Sequence, residues 1–149
     1  WADKNVNVNF SAQRAQAMKL LQVESELQEI VQLVGVDSLS DGDRLILEVT
    51  RSIREDFLHQ NSFHEVDTYT SLHKQYRMMG LILKFYKSAQ DAIKQNVTIN
   101  DIIKLSVLEK IGRAKYVEEG DIDAAYDSIE DEIDNELADL IKKRGAEEL

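Results

Sequence analysis

Apolar residues recur along this chain at spacings of three and four, run after run, and no proline interrupts them. That spacing is the period of one helix face. Average usage, about 5%, would place several prolines in a chain this long. Leu20, Val23, Leu27, Ile30, Val31 and Val34 form the first stripe, with Ser11 as its N-cap and Gly35 as its stop, a helix of about 23 residues and roughly 35 Å. Ile46, Val49, Ile53 and Phe57 form the second, entered through Ser40 and Asp43 at capping-box spacing. Leu72, Tyr76, Met79, Leu83 and Tyr86 carry a third, broadened by Ile82, Phe85, Ala89 and Ile93 and ending near Asn96. Gly80 sits inside it, where glycine costs up to about 1 kcal/mol relative to alanine and close packing against a neighbour is one reason to keep it.

Thr98 and Asn100 compete to cap a fourth helical region running to about Val117, with a break near Ser106 or Gly112. From Asp121 a last helix puts Ile122, Tyr126, Ile129, Ile133, Leu137 and Leu140 on one side. No alternating run is long enough for a buried strand. The reading is therefore all-α, a bundle of five or six mostly antiparallel helices joined by short connections. Residues 1–10 read as a lead-in and residues 11–149 as one helical domain. Because the chain opens on Trp1, it is expected to be a piece of a longer protein.

Charge narrows the partners. Of the 28 acids, eleven lie between Glu118 and Asp139, a segment holding none of the 18 lysines and arginines. Such a surface repels phosphate backbones, which argues against nucleic acid. The run reads either as a solvated helix face or as a docking surface for a basic partner. No stretch of about 18 apolar residues predicts membrane insertion. The absence of cysteine removes disulfides and thiolate chemistry.

No self-contained catalytic site is legible. The phosphate-cradling GxxxxGK[ST] loop, GxGxxG, GxSxG and HExxH are all missing. His59, His64 and His73 with Asp56, Glu65 and Asp67 read as polar loop residues, since a di-metal bundle needs two Glu-x-x-His pairs and this chain has neither. Met78 and Met79 read as ordinary core. The turn "LVGVDSLSDGDRL" (residues 33–45) reads, on pattern alone, as a well-capped helical hairpin.

The stretch "LLQVESELQEIVQLVGVDSLSDGDRLILEVTRSIREDFLHQNSFHEVDTY", followed by "KQYRMMGLILKFY" and the acidic last helix, resembles the C-terminal helical domain of the catalytic A subunit of archaeal and vacuolar-type rotary ATPases. The segments "LQEIVQLVG" and "REDFLHQNSFHEVDTY" are the specific ones. More distantly, the same stretch is similar to the β subunit of F-type ATP synthases. There an acidic loop, Asp-Glu-Leu-Ser-Glu-Glu-Asp, contacts the rotating central shaft. Asp37, Ser38, Leu39, Ser40, Asp41, Gly42 and Asp43 fall on that loop, with two glutamates replaced by Ser38 and Gly42 and another by Asp41. The resemblance thus implies a rotor contact that is more steric than electrostatic.

It implies an adenine pocket as well. In the F-type subunit two aromatics six residues apart follow a Phe-Leu-Ser-Gln sequence and border the base; here "FLHQ" precedes Phe63 and Tyr69 at the same separation, after one inserted residue. By resemblance Phe63 and Tyr69 flank adenine, with Gln60 and Asn61 at the rim. An aromatic face stacks on a base with about 1 to 3 kcal/mol. The implied parent is an ion-translocating rotary ATP synthase or ATPase, peripheral on the cytoplasmic side of a membrane. Its ATP or ADP and magnesium would bind in a nucleotide-binding domain preceding Trp1. Its neighbours would be the central stalk and the non-catalytic B subunits. The 149-residue piece itself is expected to hold no cofactor or metal and to lack ATPase activity. The competing reading is a free-standing acidic helical interaction module, which a start codon just before Trp1 would support.

Overall fold

The computed structural model describes residues 2–58 and 71–147. Six α-helices make up most of them: α1 (Ala2–Val34), α2 (Asp41–Ser52), α3 (Leu72–Lys94), α4 (Ile99–Ile102), α5 (Ser106–Arg113) and α6 (Ile122–Glu147). No strand occurs among the described residues, and the all-α bundle expected from periodicity is what forms.

Helix α1 is longer than its stripe suggests. It runs through Ser11, which therefore caps nothing, and takes in residues 2–10. Propensity at the polar, asparagine-rich start is a weak prior that tertiary contact overrides. Phe10 supplies that contact, buried with its ring 6.4 Å from the ring of Tyr76. Phe10, Ala17, Leu20, Glu24 and Leu27 then form the buried face, at a helical period. Beyond Leu27 nothing on α1 is buried: Ile30 and Val34, expected in the core, are exposed. The apolar stripe outruns the chain's own core.

The other starts follow their caps. Ser40 Oγ accepts from Asp43 N at 3.1 Å, Ser71 Oγ from Lys74 N at 3.0 Å, and Thr98, not Asn100, caps α4. The fourth region breaks before Ser106, and Gly112 stays inside α5. After Ser52 the backbone widens into a π-helical turn, Ile53–Leu58.

Helix α3 is the centre of the bundle, packed on α1, α2 and α6. Met78, Met79, Leu81, Ile82, Leu83, Phe85, Tyr86, Ala89 and Ala92 are all buried on it, so it is apolar around most of its girth. Full burial of a Leu, Ile, Phe or Met side chain stabilises by about 1.5–3 kcal/mol. A Cβ built on Gly80 would meet only the side-chain tip of Gln13, at 3.5 Å. Close packing is thus not what keeps glycine there.

Charged pairs report the directions of the helices. His73 meets Asp123, Arg77 meets Asp127 and Lys84 meets Asp134, a constant offset of 50 residues, so α3 and α6 run parallel. Glu24 meets Thr50 and Arg54 across the turn, and Ser106 and Lys110 meet Glu136 and Glu132; α1 with α2 and α5 with α6 are therefore antiparallel. The α3–α6 pair departs from the expected mostly antiparallel order, as does α1 with α3, where Phe10 meets Tyr76 and Gln13 meets Gly80.

These contacts also revise the reading of the acidic run. Arg77 alone holds Asp123, Asp127 and Glu130, while Glu132 and Asp134 pair with Lys110 and Lys84. Glu136 accepts from Ser106 Oγ and Val107 N at the start of α5, and Glu119 from Ser71 N and Oγ at the start of α3. The segment is neither wholly solvated nor wholly free for a partner. Much of it binds α6 to the rest of its own bundle.

Candidate functional site

The turn between α1 and α2 is built by backbone necessity. The amide of Gly35 closes the last turn of α1 on Val31 O at 2.8 Å, and then Gly35 takes φ +89° with ψ 160°, a region that only glycine enters without strain. A single 3₁₀ turn, Val36–Ser38, follows, with Ser38 Oγ donating back to Gly35 O at 2.7 Å. Ser40 then caps α2 while Asp41 and Asp43 occupy its first turn, where the helix dipole favours negative charge.

The seven residues of the expected rotor loop are thus brought together, yet they are not equivalent. Asp41 Oδ2 accepts from Ile99 N at 3.2 Å, and Arg44 donates to Asn100 Oδ1 at 3.1 Å, tying the start of α2 to α4. Asp37, Ser38, Ser40 and Gly42 are exposed, while Leu39 and Asp43 are half-buried. Asp43 also faces the Tyr86 phenol, whose pKa is raised chiefly by burial, against a hydrogen bond from Gln90 and with help from Asp43. Of the three aspartates, Asp37 is the one that stands out into solvent.

Below the turn the hairpin is braced by groups that stripe reading passed over. Glu24, buried on the apolar face of α1, accepts from Thr50 Oγ1 at 2.9 Å and from Arg54. The signal was present: Glu24 lies four residues after Leu20 and three before Leu27, a core position held by a carboxylate. Arg54 belongs to the π-helical turn, whose other side is held by Lys115. The Lys115 Nζ donates to Glu55 O at 3.3 Å and lies 3.9 Å from Asp56, whose carboxyl burial pushes above its ordinary range. Lys74, another residue the stripes missed, is buried with Nζ donating to Lys115 O and Val117 O at 2.8 and 2.7 Å. Those carbonyls end the 3₁₀ turn Ala114–Tyr116, so one ammonium closes a terminus from another helix.

The expected adenine residues Gln60, Asn61, Phe63 and Tyr69 lie outside the described residues, as do His59, His64, Glu65 and Asp67. What the structure fixes is the two ends of that segment: the π-helical turn before it and Ser71, bonded to Glu119, after it. His73 pairs with Asp123 at 2.7 Å, and no group of three or more His, Cys, Asp or Glu is placed to hold a metal ion among the described residues.

Residues 1–103, which contain the whole hairpin and the segment after it, match the family described as the C-terminal domain of V and A type ATP synthase. The chain belongs to that family. Relatives carry the likeness across α5 and α6 as well. The chain is 99% identical over 149 residues to a V-type ATP synthase alpha chain of Clostridioides difficile strain 630, covering all of this chain and 25% of that protein. It is 52% identical over 143 residues to one of Acetivibrio thermocellus (96% of this chain, 24% of that protein). With the V-type ATP synthase alpha chain of Thermoanaerobacter pseudethanolicus it shares 54% identity over 147 residues, 99% of this chain and 25% of that one. The chain thus spans about a quarter of the length of these relatives. Among the described residues, no helix of this V and A type ATP synthase domain is long and apolar enough to cross a membrane.

Proposed function

We propose that this domain is the C-terminal part of an ATP synthase alpha chain and couples the occupancy of an adenine-nucleotide site to the position of a central shaft. The observation that carries the proposal is the braced hairpin. Its turn is fixed by Gly35, Ser38 and Ser40, and its two helices are joined at mid-height by Glu24, Thr50 and Arg54. A helix pair held at both levels moves as a unit, so load on the turn is transmitted to the start of the segment that follows Arg54. On this reading Phe63 and Tyr69 flank the base, Gln60 and Asn61 line the rim, and residues 37–43 bear on the shaft.

Phosphate, magnesium and the attacking water belong to the remaining three quarters of such a subunit, with residues 1–10 leading in from its nucleotide-binding domain. The assembled machine exchanges ATP synthesis or hydrolysis for ion transport. Within it this domain sits on the peripheral, cytoplasmic side, beside non-catalytic B subunits. The bound nucleotide supplies the free energy. The domain supplies an aromatic wall and a rigid arm.

The test is a substitution in the full-length subunit. Phe63→Ala should weaken ATP binding about 5- to 100-fold, the loss of one base stack, with helix content by circular dichroism unchanged. Wild-type nucleotide affinity in that variant would remove Phe63 from the pocket.

A further inference from the structure

Eight large apolar side chains are exposed on the described surface, and four of them fall within seven residues: Ile30 (42%), Leu33 (84%), Val34 (65%) and Val36 (42%). The remaining ones, Met18, Leu72, Ile103 and Tyr116, are scattered along the chain, apart from Ile103, which shares a groove with Val36. Single exposed apolar residues are ordinary, whereas a cluster this dense marks a contact surface.

Two members of the cluster, Ile30 and Val34, continue the edge of the buried face of α1, while Leu33 projects about 120° away from Leu27 and widens the apolar surface around the helix end. At about 100° per residue, Ile30 and Val34 project within about 60° of the direction of Leu27, whose side chain is in the core. The face that packs on the bundle from Phe10 to Leu27 therefore runs on for two more turns with little of this chain to cover it. It ends at the turn, beside residues 37–43. The start of α1 lies about 50 Å away, at the far end of a 33-residue helix.

Charge identifies the occupant. From Leu20 to Asp43 the sequence has no Lys, Arg or His, but it has Glu24, Glu26, Glu29, Asp37, Asp41 and Asp43. Glu24 is taken by Arg54 and Thr50, and Asp41 by the amide of Ile99. Glu26, Glu29 and Asp37 are exposed around the apolar cluster. Side chains at i, i+3 and i+4 make a ridge that fits the groove of another helix.

Resting on the shaft-contact reading above, we infer that the surface on which the shaft bears is this apolar shoulder, Ile30, Leu33, Val34 and Val36, and not chiefly the aspartates of the turn. The partner it fits is an amphipathic helix of the shaft with an apolar seam flanked by lysine or arginine. The apolar side chains carry the contact, and the carboxylates orient the approach.

The 149 residues hold no cysteine, so on a background in which any cysteines elsewhere in the complex are replaced by serine, single cysteines placed here can report the contact. In the assembled complex of full-length subunits, Leu33→Cys and Gly42→Cys are compared by cross-linking to the shaft with a short bifunctional maleimide and by labelling rate. Leu33→Cys should cross-link in at least one nucleotide state, and its labelling should slow about tenfold or more on assembly, because a packed contact excludes solvent and reagent. If Gly42→Cys cross-links and Leu33→Cys does not, or if Leu33→Cys joins a non-shaft subunit, the shoulder is overturned while the shaft reading stands. If neither reaches the shaft, both readings fall. A second comparison separates apolar from charged contact. Leu33→Asp with Val34→Asp should reduce rotation under load more than replacement of Asp37, Asp41 and Asp43 by Asn, and the reverse ranking would also overturn the inference.

Discussion

Thr50 has one hydroxyl proton and three oxygens in reach: Glu24 Oε2 at 2.9 Å, Ile46 O at 2.8 Å and Leu47 O at 3.0 Å. The carboxylate is the acceptor that gains most, because a hydrogen bond to a charged group is worth about 1.5–3 kcal/mol against about 1 for a neutral one. Thr50→Val keeps the shape and leaves Glu24 buried with Arg54 alone, so we expect a loss of about 1–3 kcal/mol in urea unfolding of the chain. A change below a few tenths would show that the brace is slack. At the surface, Asp123 is held below the ordinary aspartate range, first by its hydrogen bond from His73, which desolvation opposes, and further by the charges of His73 and Arg77. A depressed carboxyl contributes its stability above the unfolded-state pKa and loses it as pH falls through the depressed one. His73→Ala should therefore move the Asp123 carboxyl titration, followed by NMR, upward toward the usual range. An unmoved midpoint would mean that Arg77 alone sets it.

At the scale of elements, the glycines of the turn divide cleanly. Gly35 occupies a backbone region closed to other residues, and Gly35→Ala should destabilise by about 1–3 kcal/mol although open space surrounds its Cβ. Gly42, in the first turn of α2, has ordinary backbone and only Ser40 Oγ near a new Cβ, at 3.9 Å. Gly42→Ala should be neutral or stabilising by up to about 1 kcal/mol. Melting of the two variants side by side tests whether the turn depends on the backbone region that Gly35 occupies, and equal losses would show that it does not. The caps at Ser40 and Thr98 were legible because they are local, involving a side chain and an amide three residues on; Ser71, equally local, was not singled out. Helices whose termini are closed from elsewhere were not legible. Nothing near Ser106 announces that Glu136 accepts its hydroxyl and the next amide, and nothing near Leu72 announces Glu119.

For the molecule as a whole, periodicity revealed what is apolar but not what is covered. Leu27 and Val34 read alike in sequence, yet Leu27 is buried and Val34 is not, because coverage depends on where the other helices end. The acidic run is largely exposed, as a solvated helix face should be, yet its pairing within the bundle is not legible, for a related reason. Its partners Arg77, Lys84 and Lys110 lie 22 to 53 residues away, at spacings that only the assembled bundle defines. The residues expected at adenine, Gln60, Asn61, Phe63 and Tyr69, were found through the family resemblance, because no period or cap marks them. Chemistry follows the same division: with no phosphate-binding loop, the isolated 149-residue chain should release phosphate from ATP no faster than buffer does. Turnover by the purified chain would contradict the proposal that catalysis belongs to the rest of such a subunit.

The uninterrupted length of α1 has a geometric outcome. From Phe10, where the helix is clasped against Tyr76, to Val34 is about 36 Å of unbroken rod. Because α1 packs on the bundle as far as Leu27, the two turn together, and a ten-degree rotation of the domain about the Phe10 end would carry Val34 roughly 6 Å, slightly more than one helical pitch. Small rotations at the anchored end are magnified into register-sized steps against whatever lies alongside the other.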